Sequence, residues 1–148
     1  MIQRIQSVFL LIAAALQALL FKTNFFIMDV NGFEVKYTAW HRINVGSNDI
    51  NLNLVHIILQ FTLMALTIFA IFKYKDRKQQ MKFCFYLILG SIVSFGFSLY
   101  NLFTTNYTEF HFSFGTYLIS LILMLYISAY FFIKKDDNLV KSADRLRE

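Results

Sequence analysis

Residues 83–103 read FCFYLILGSIVSFGFSLYNLF, a stretch without Asp, Glu, Lys or Arg. A helix of about 20 apolar residues crosses the roughly 30 Å hydrocarbon core of a bilayer. The four predicted spans, all free of these charges, are residues 5–21, 54–72, 83–103 and 114–133. The sequence therefore predicts an all-α membrane protein, a four-transmembrane-helix bundle that forms one domain over residues 1–148.

The composition agrees with a membrane protein. Apolar residues make up 57% of the chain and charged residues 16%, against about 45–50% and 25% in soluble domains. Charged side chains inside a membrane are costly and usually functional. Their absence from the predicted spans counts against a proton relay, a voltage sensor or an ion-coupled pump.

The distribution of basic residues predicts the orientation. Only Lys22, Lys36 and Arg42 fall on the side of the first long loop. The predicted cytoplasmic basic surface consists of Arg4, Lys73, Lys75, Arg77, Lys78, Lys82, Lys134, Lys135, Lys141, Arg145 and Arg147. Because short cytoplasmic loops are enriched in Lys and Arg, both termini are expected in the cytoplasm. The alternative, a signal peptide cleaved near residues 13–15, would leave three spans.

Small and polar residues form one stripe on each predicted helix. At 3.6 residues per turn, the stripe of the third helix covers about 100°. The predicted stripe residues are Gln17, His56, Gln60, Gly90, Ser91, Ser94, Ser98 and Asn101. Such stripes favour helix packing and interhelical hydrogen bonds. The alternative is a polar pocket or narrow water path.

The sequence predicts no catalytic, cofactor or metal site. His56 is expected near Ser98 or Asn101, but no acid or metal accompanies this pair. His41, His56 and His111 lack metal-ligand spacing, and the single cysteine, Cys84, has no second thiol. We therefore expect a protein that is not an enzyme and that does not bind nucleic acid.

Two segments outside the spans carry structural signals. In the outer loop, residues 22–53, Asn31-Gly32 lies between residues 25–30 and the alternating residues 33–38 and predicts a β-hairpin. In the cytoplasmic tail, residues 134–148, Leu139, Ala143 and Leu146 follow helical spacing. A short amphipathic helix is expected there, either on an anionic membrane surface or on a cytoplasmic partner.

The two ends of the chain carry a family resemblance. Residues 1–8, MIQRIQSV, and residues 133–147, IKKDDNLVKSADRLR, resemble an uncharacterised bacterial family of four-span membrane proteins, domain of unknown function 4293. The resemblance implies a bacterial inner-membrane protein and supplies no activity, substrate or site residue. The layout is also similar to that of claudin-like proteins, but the cysteine pair expected in their first outer loop is absent.

These observations predict two functions from different classes. The first is an accessory or scaffold subunit that binds the lipid bilayer and a larger membrane-protein complex, or that forms a homo-oligomer. The alternative is a small transporter or channel that uses the polar stripe. The absence of Pro from the chain disfavours the broken helices common in transporters.

Overall fold

The computed structural model describes residues 3–30, 32–39, 41–44, 50–52, 54–74, 76–104 and 106–145. These residues form a helix bundle with an antiparallel sheet at one end. The helices are α1 (Gln3–Leu20), α2 (Leu54–Phe72), α3 (Arg77–Phe103) and α4 (Phe114–Arg145). The strands are β1 (Asn24–Val30), β2 (Phe33–Thr38), β3 (His41–Asn44), β4 (Ile50–Leu52) and β5 (Glu109–Phe112).

Three of the described helices, α2, α3 and α4, are long and apolar enough to cross a membrane. The first helix contributes a shorter apolar segment, Ile5–Leu20. The predicted bounds of the second span agree with α2, whereas α3 begins six residues before the predicted third span. The difference arises because Asp76 caps α3 outside the apolar segment, its side chain accepting a hydrogen bond from the Gln79 amide at 3.1 Å.

Polar side chains are buried between the helices, whereas many large apolar side chains are exposed on the outside of the bundle. The polar residues buried between the helices include Gln6, Gln17, His56, Gln60, Thr67, Gln80, Ser91, Ser94 and Ser98. The large apolar residues exposed on the outside of the bundle include Val8, Leu11, Phe61, Phe69, Phe85, Ile92, Leu121 and Met124. Water would penalise so large an apolar surface, whereas lipid does not. The arrangement is that of a membrane protein.

The first helix packs along the last. Near the start of α1, the Phe9 and Phe132 rings stack at 5.4 Å, and Gln6 Nε2 donates to the Phe132 carbonyl oxygen at 3.3 Å. Further along α1, Gln17 Oε1 accepts from the Tyr126 hydroxyl at 3.0 Å. These contacts show that α1 and α4 run antiparallel and share most of the length of α1.

The predicted hairpin is confirmed by β1 and β2, and the other strands extend it into a larger sheet. β1 pairs with β2, and Val30 lies opposite Phe33 across the turn. Gly32 adopts a φ of +80°, a conformation that glycine reaches without steric cost; Asn31 lies outside the described residues. The sheet has five strands in the order β4-β3-β2-β1-β5. The loop between α3 and α4 therefore contributes an edge strand that the sequence did not predict.

The sheet is fixed to the start of α4 through the backbone of β1. The Phe25 carbonyl oxygen accepts from the Ser113 amide at 2.9 Å and from the Thr116 hydroxyl. Gly115 lies so close that an added Cβ would be 2.6 Å from the Asn24 carbonyl oxygen. The bundle thus has a sheet end, where β1–β5 lie, and a basic end, where residues 73–76 connect α2 to α3.

At the basic end, the helix predicted in the tail is present, but it is a continuation of α4 and not a short helix of its own. α4 continues without interruption from the apolar segment to Arg145, and residues 146–148 lie outside the described residues. The helix contains no Pro, and its one Gly, Gly115, is at its start, so nothing in the sequence kinks it. Leu139, which was expected on the packed face of the tail, is 48% exposed.

Candidate functional site

Three side chains of the predicted stripe meet between α2 and α3. Gln60 Nε2 lies 2.7 Å from Ser94 Oγ and 3.2 Å from His56 Nε2. His56 Nε2 lies 3.2 Å from Ser94 Oγ. Since an amide nitrogen carries two hydrogens, Gln60 can donate to both neighbours, with His56 Nε2 as an acceptor. All three residues are buried.

Aromatic rings surround the histidine of this cluster. The Phe25 ring stacks on His56 with 5.2 Å between centroids, and the Phe97 ring meets it edge-on at 5.8 Å. Tyr37 of β2 lies 6.4 Å away. Because Phe25 and Tyr37 belong to the sheet, His56 is enclosed from the sheet end as well as from the helices.

A second polar cluster joins α1, α2 and α4. The Thr67 Oγ1 atom lies 2.7 Å from the Tyr126 hydroxyl oxygen and 3.3 Å from Gln17 Oε1. Together with the hydrogen bond from Tyr126 to Gln17, these contacts close a triangle among three helices. Sequence reasoning missed Tyr126. A tyrosine in the middle of an apolar span, away from the rims where tyrosines are usual, needs a buried hydrogen-bond partner, and that signal could have found it.

Between the two clusters lies a cavity of about 10 Å³. Its polar lining comes from Gln17, Gln60, Ser91 and Ser94. This volume is at the lower limit for one water molecule, which needs two to four polar partners. The site that the stripe forms is therefore water-sized, and it is too small for an organic substrate.

The remaining hydroxyl and amide groups of the α3 stripe bond to their own helix. Ser91 Oγ donates to the Leu87 carbonyl oxygen at 2.7 Å, and Ser98 Oγ donates to the Ser94 carbonyl oxygen at 3.0 Å. Asn101 Nδ2 likewise donates to the Phe97 carbonyl oxygen at 2.8 Å. Such bonds to the preceding turn are common for short polar side chains in helices. Only Ser94 among the stripe's serines is shown bonding to side chains of another helix.

His56 contacts Ser94 of α3, one helical turn from Ser98, which the sequence had predicted it to approach. The contact with Ser94 reflects the relative depth of the two helices. At the sheet end, α3 continues for nine residues after Ser94, whereas α2 begins two residues before His56. At the sheet end, α3 therefore extends about 10 Å further than α2 along the helix axis. Gly90, the other predicted stripe residue of this helix, faces Leu63, whose Cδ2 atom would be 2.5 Å from an added Cβ.

At the basic end, an ion pair links α3 to α4. Arg77 Nε lies 3.0 Å from Asp136 Oδ2, and the Asp136 side chain is 11% exposed. Asp137, the next residue of α4, forms an ion pair with Lys141. The hydrogen bond from Lys141 lowers the pKa of the Asp137 carboxyl. Sequence reasoning counted Arg77 and Lys141 as free surface charges and missed both carboxylates as their partners.

Among the other predicted basic residues, the structure describes the side chains of five and not those of the remaining four. Lys78, Lys82, Lys134 and Lys135 are exposed, and Lys73 is half-buried. Lys75 and Arg147 lie outside the described residues, and the side chains of Arg4 and Arg145 are not described either. Most of the described positive charge therefore lies where α3 begins and where α4 leaves its apolar segment.

The fold and the buried polar clusters define a helical membrane protein with a β-sheet at one end of its bundle. Residues 2–146 match the family model described as a domain of unknown function, DUF4293. The chain belongs to this family, as the sequences of its two ends predicted. No curated protein matches the chain significantly.

Proposed function

We propose that this protein crosses the bacterial inner membrane four times, with both termini in the cytoplasm, and serves as a non-enzymatic accessory or scaffold subunit of a larger membrane complex. The observation that carries the proposal is the uninterrupted extension of α4 beyond its apolar segment. The number of spans, the orientation and the role are supported by separate features of the molecule.

Four spans are supported by the packing of α1. Although α1 is shorter than the other helices, its 18 residues measure about 27 Å, close to the thickness of the hydrocarbon core. It lies beside α4 from the level of Phe132 to the start of the sheet. Because α1 lies beside the apolar segment of α4 over this length, α1 should cross the same hydrocarbon core.

The orientation is supported by charge. The exposed Lys78, Lys82, Lys134 and Lys135 surround the basic end, and basic residues favour the cytoplasmic side of inner-membrane proteins. The sheet end then faces the periplasm. α1 begins and α4 finishes at the basic end, so this orientation fits two cytoplasmic termini.

The role is supported by the extension of α4. Twelve residues of this helix follow Ile133, and they extend about 18 Å along the axis. A continuous helix rises from the membrane instead of lying in its plane, so its outer turns lie beyond the roughly 8 Å over which surface charges act at physiological salt. Leu139 and Val140 are 48% and 39% exposed. This helix is suited to a cytoplasmic partner subunit.

The interior supports a structural role over transport or catalysis. The water-sized cavity accommodates no solute larger than water, and the described helices continue through the level of the polar clusters. Ser94 and His56 have the separation of a nucleophile and a base. However, the Phe25 ring stacks on His56, and both side chains are buried away from any substrate. The clusters act as packing contacts between helices.

The proposal is tested by purifying the N-terminally tagged protein from its own host in several mild detergents, followed by mass spectrometry. We expect a stoichiometric protein partner with wild type and its loss with Leu139→Gln, which keeps a good helix former but removes the exposed apolar group. The matched control is Phe33→Gln, because Phe33 is exposed at the sheet end.

Two outcomes would contradict parts of the proposal, and a third would show that the substitutions destabilise the protein. A protein that purifies alone in every detergent would argue against the accessory role. A partner retained by Leu139→Gln would exclude the α4 extension as its docking surface. Equal loss with Phe33→Gln would indicate general destabilisation.

A further inference from the structure

A groove opens between α3 and α4 at the basic end of the bundle. Its volume is about 250 Å³, and it is lined by Met81, Lys82, Phe85, Tyr86 and Tyr130. Four of these residues belong to α3 and one belongs to α4. The groove lies on the outer surface of the bundle, away from the polar clusters, so the proposed packing role does not account for it.

The polar groups of the groove lie at one level of the membrane. Lys82 is the last charged residue of α3 before the apolar segment that starts at Phe83, and Tyr130 lies one helical turn before Lys134, the first charged residue after the α4 span. This places the Lys82 ammonium and the two tyrosine hydroxyls at the membrane rim, where lipid phosphates lie. Phe85 and Met81 form the apolar part of the same groove.

These polar groups have no partner among the residues that the structure describes. No described side chain makes a hydrogen bond or an ion pair with the Lys82 ammonium or with the hydroxyls of Tyr86 and Tyr130. Arg77 and Lys141 at the same end differ in this respect, since both are ion-paired. A groove with one ammonium and two hydroxyl donors matches the anionic oxygens of a phosphate group.

The charges around the groove favour a lipid with net negative charge. Lys78 and Lys134 lie one helical turn from Lys82 and Tyr130, towards the cytoplasm. The carboxylate on the same side of α4, Asp137, is about 10 Å along the axis from Tyr130 and is ion-paired with Lys141. A zwitterionic headgroup would bring an ammonium into this positive field without an adjacent free acceptor.

We infer that the groove between α3 and α4 binds one anionic phospholipid, whose phosphate lies between Lys82, Tyr86 and Tyr130 and whose acyl chain follows Phe85 into the bilayer. Basic pockets between membrane helices on the cytoplasmic side commonly hold such headgroups. The inference rests on the membrane embedding in the proposed function and does not depend on the partner subunit. Lipid bound here would join α3 and α4 next to the point where α4 leaves the membrane.

The test measures lipid binding to the purified full-length protein by native mass spectrometry in detergent. The probes are dioctanoyl phosphatidylglycerol, the corresponding phosphatidylcholine and soluble glycerol phosphate. We expect one tightly bound phosphatidylglycerol, with weaker phosphatidylcholine and glycerol phosphate binding. Lys82→Gln should weaken phosphatidylglycerol binding about tenfold and Tyr130→Phe about threefold, since one charged and one neutral hydrogen bond are lost.

Two further variants separate the site from general effects of charge and folding. Lys82→Arg keeps the positive charge and should retain binding. Lys135→Gln, an exposed lysine of α4 outside the groove, should bind as wild type does. The inference is overturned if phosphatidylcholine binds equally, if glycerol phosphate competes as strongly as the lipid, or if neither Lys82→Gln nor Tyr130→Phe weakens binding. Because no partner is present, loss of the accessory role would not alter this result.

Discussion

Replacing Asp136 with alanine is expected to lower the free energy of unfolding by about 2–3 kcal/mol, because it leaves the Arg77 guanidinium half-buried without its carboxylate. The two charged atoms lie 3.0 Å apart and both side chains are largely shielded from water. Since the pair joins the first turn of α3 to α4, its loss should also loosen the α4 extension. Reversible unfolding in mixed micelles measures the first effect, and proteolysis near residue 140 measures the second.

The adjacent carboxylate provides the control for this prediction. Asp137 pairs with Lys141 within α4 and attracts Arg77 and Lys78 of α3 only at longer range, so Asp137→Ala should change stability much less. A double variant that exchanges the two charges, Arg77→Asp with Asp136→Arg, should be more stable than Asp136→Ala. Equal destabilisation by Asp136→Ala and Asp137→Ala would show that the link between α3 and α4 contributes little.

Gly115→Ala should produce the second large effect, a loss of about 1–3 kcal/mol typical of overpacking. The new Cβ would lie 2.6 Å from the Asn24 carbonyl oxygen and 3.0 Å from Phe25 Cδ1. A backbone carbonyl cannot rotate away as a side chain can, so β1 must move from the start of α4. The same measurement in mixed micelles gives the loss, and faster proteolysis of the sheet would show the displacement.

Two other glycines give a graded comparison. At Gly90 the nearest obstacle is the Leu63 Cδ2 atom at 2.5 Å, the end of a flexible side chain that can move. At Gly96 an added Cβ meets nothing within 4 Å, and alanine improves helix propensity. Gly115→Ala should therefore be the least stable variant, followed by Gly90→Ala and then Gly96→Ala. A Gly115→Ala protein as stable as Gly96→Ala would contradict the proposed contact between the sheet and α4.

The sequence predicted those parts of the fold that follow from periodicity and local turn chemistry. Uncharged apolar segments located α2 and the start of α4, and Asn31-Gly32 located the β1–β2 hairpin. The strand β5 was missed because it has four residues and takes its register from pairing with β1. Such pairing between distant segments leaves no local signal. The uninterrupted α4 was missed because the change from apolar to charged residues marks the membrane edge and not the end of a helix.

The polar interior was predicted in part for a similar reason. Helical spacing grouped Ser91, Ser94 and Ser98 on one face, and all three are buried. Spacing cannot show which side chain crosses to a neighbouring helix, so the contact of Ser94 with His56 and Gln60 required the relative depth of α2 and α3. Tyr126 has no helical spacing in common with Thr116 and Ser120 near the start of α4, so periodicity did not group it with other polar residues.

Cysteine labelling in spheroplasts tests whether the protein has a four-span topology with both ends in the cytoplasm. In a Cys84→Ala background, single cysteines replace Gln3, Lys36, Lys78 and Ser142, and a membrane-impermeant maleimide is added before or after lysis. We expect that Lys36→Cys is labelled in intact spheroplasts and that the other three are labelled only after lysis. Labelling of Gln3→Cys before lysis would show that α1 does not cross the membrane, and labelling of Ser142→Cys would contradict the cytoplasmic position of the α4 extension.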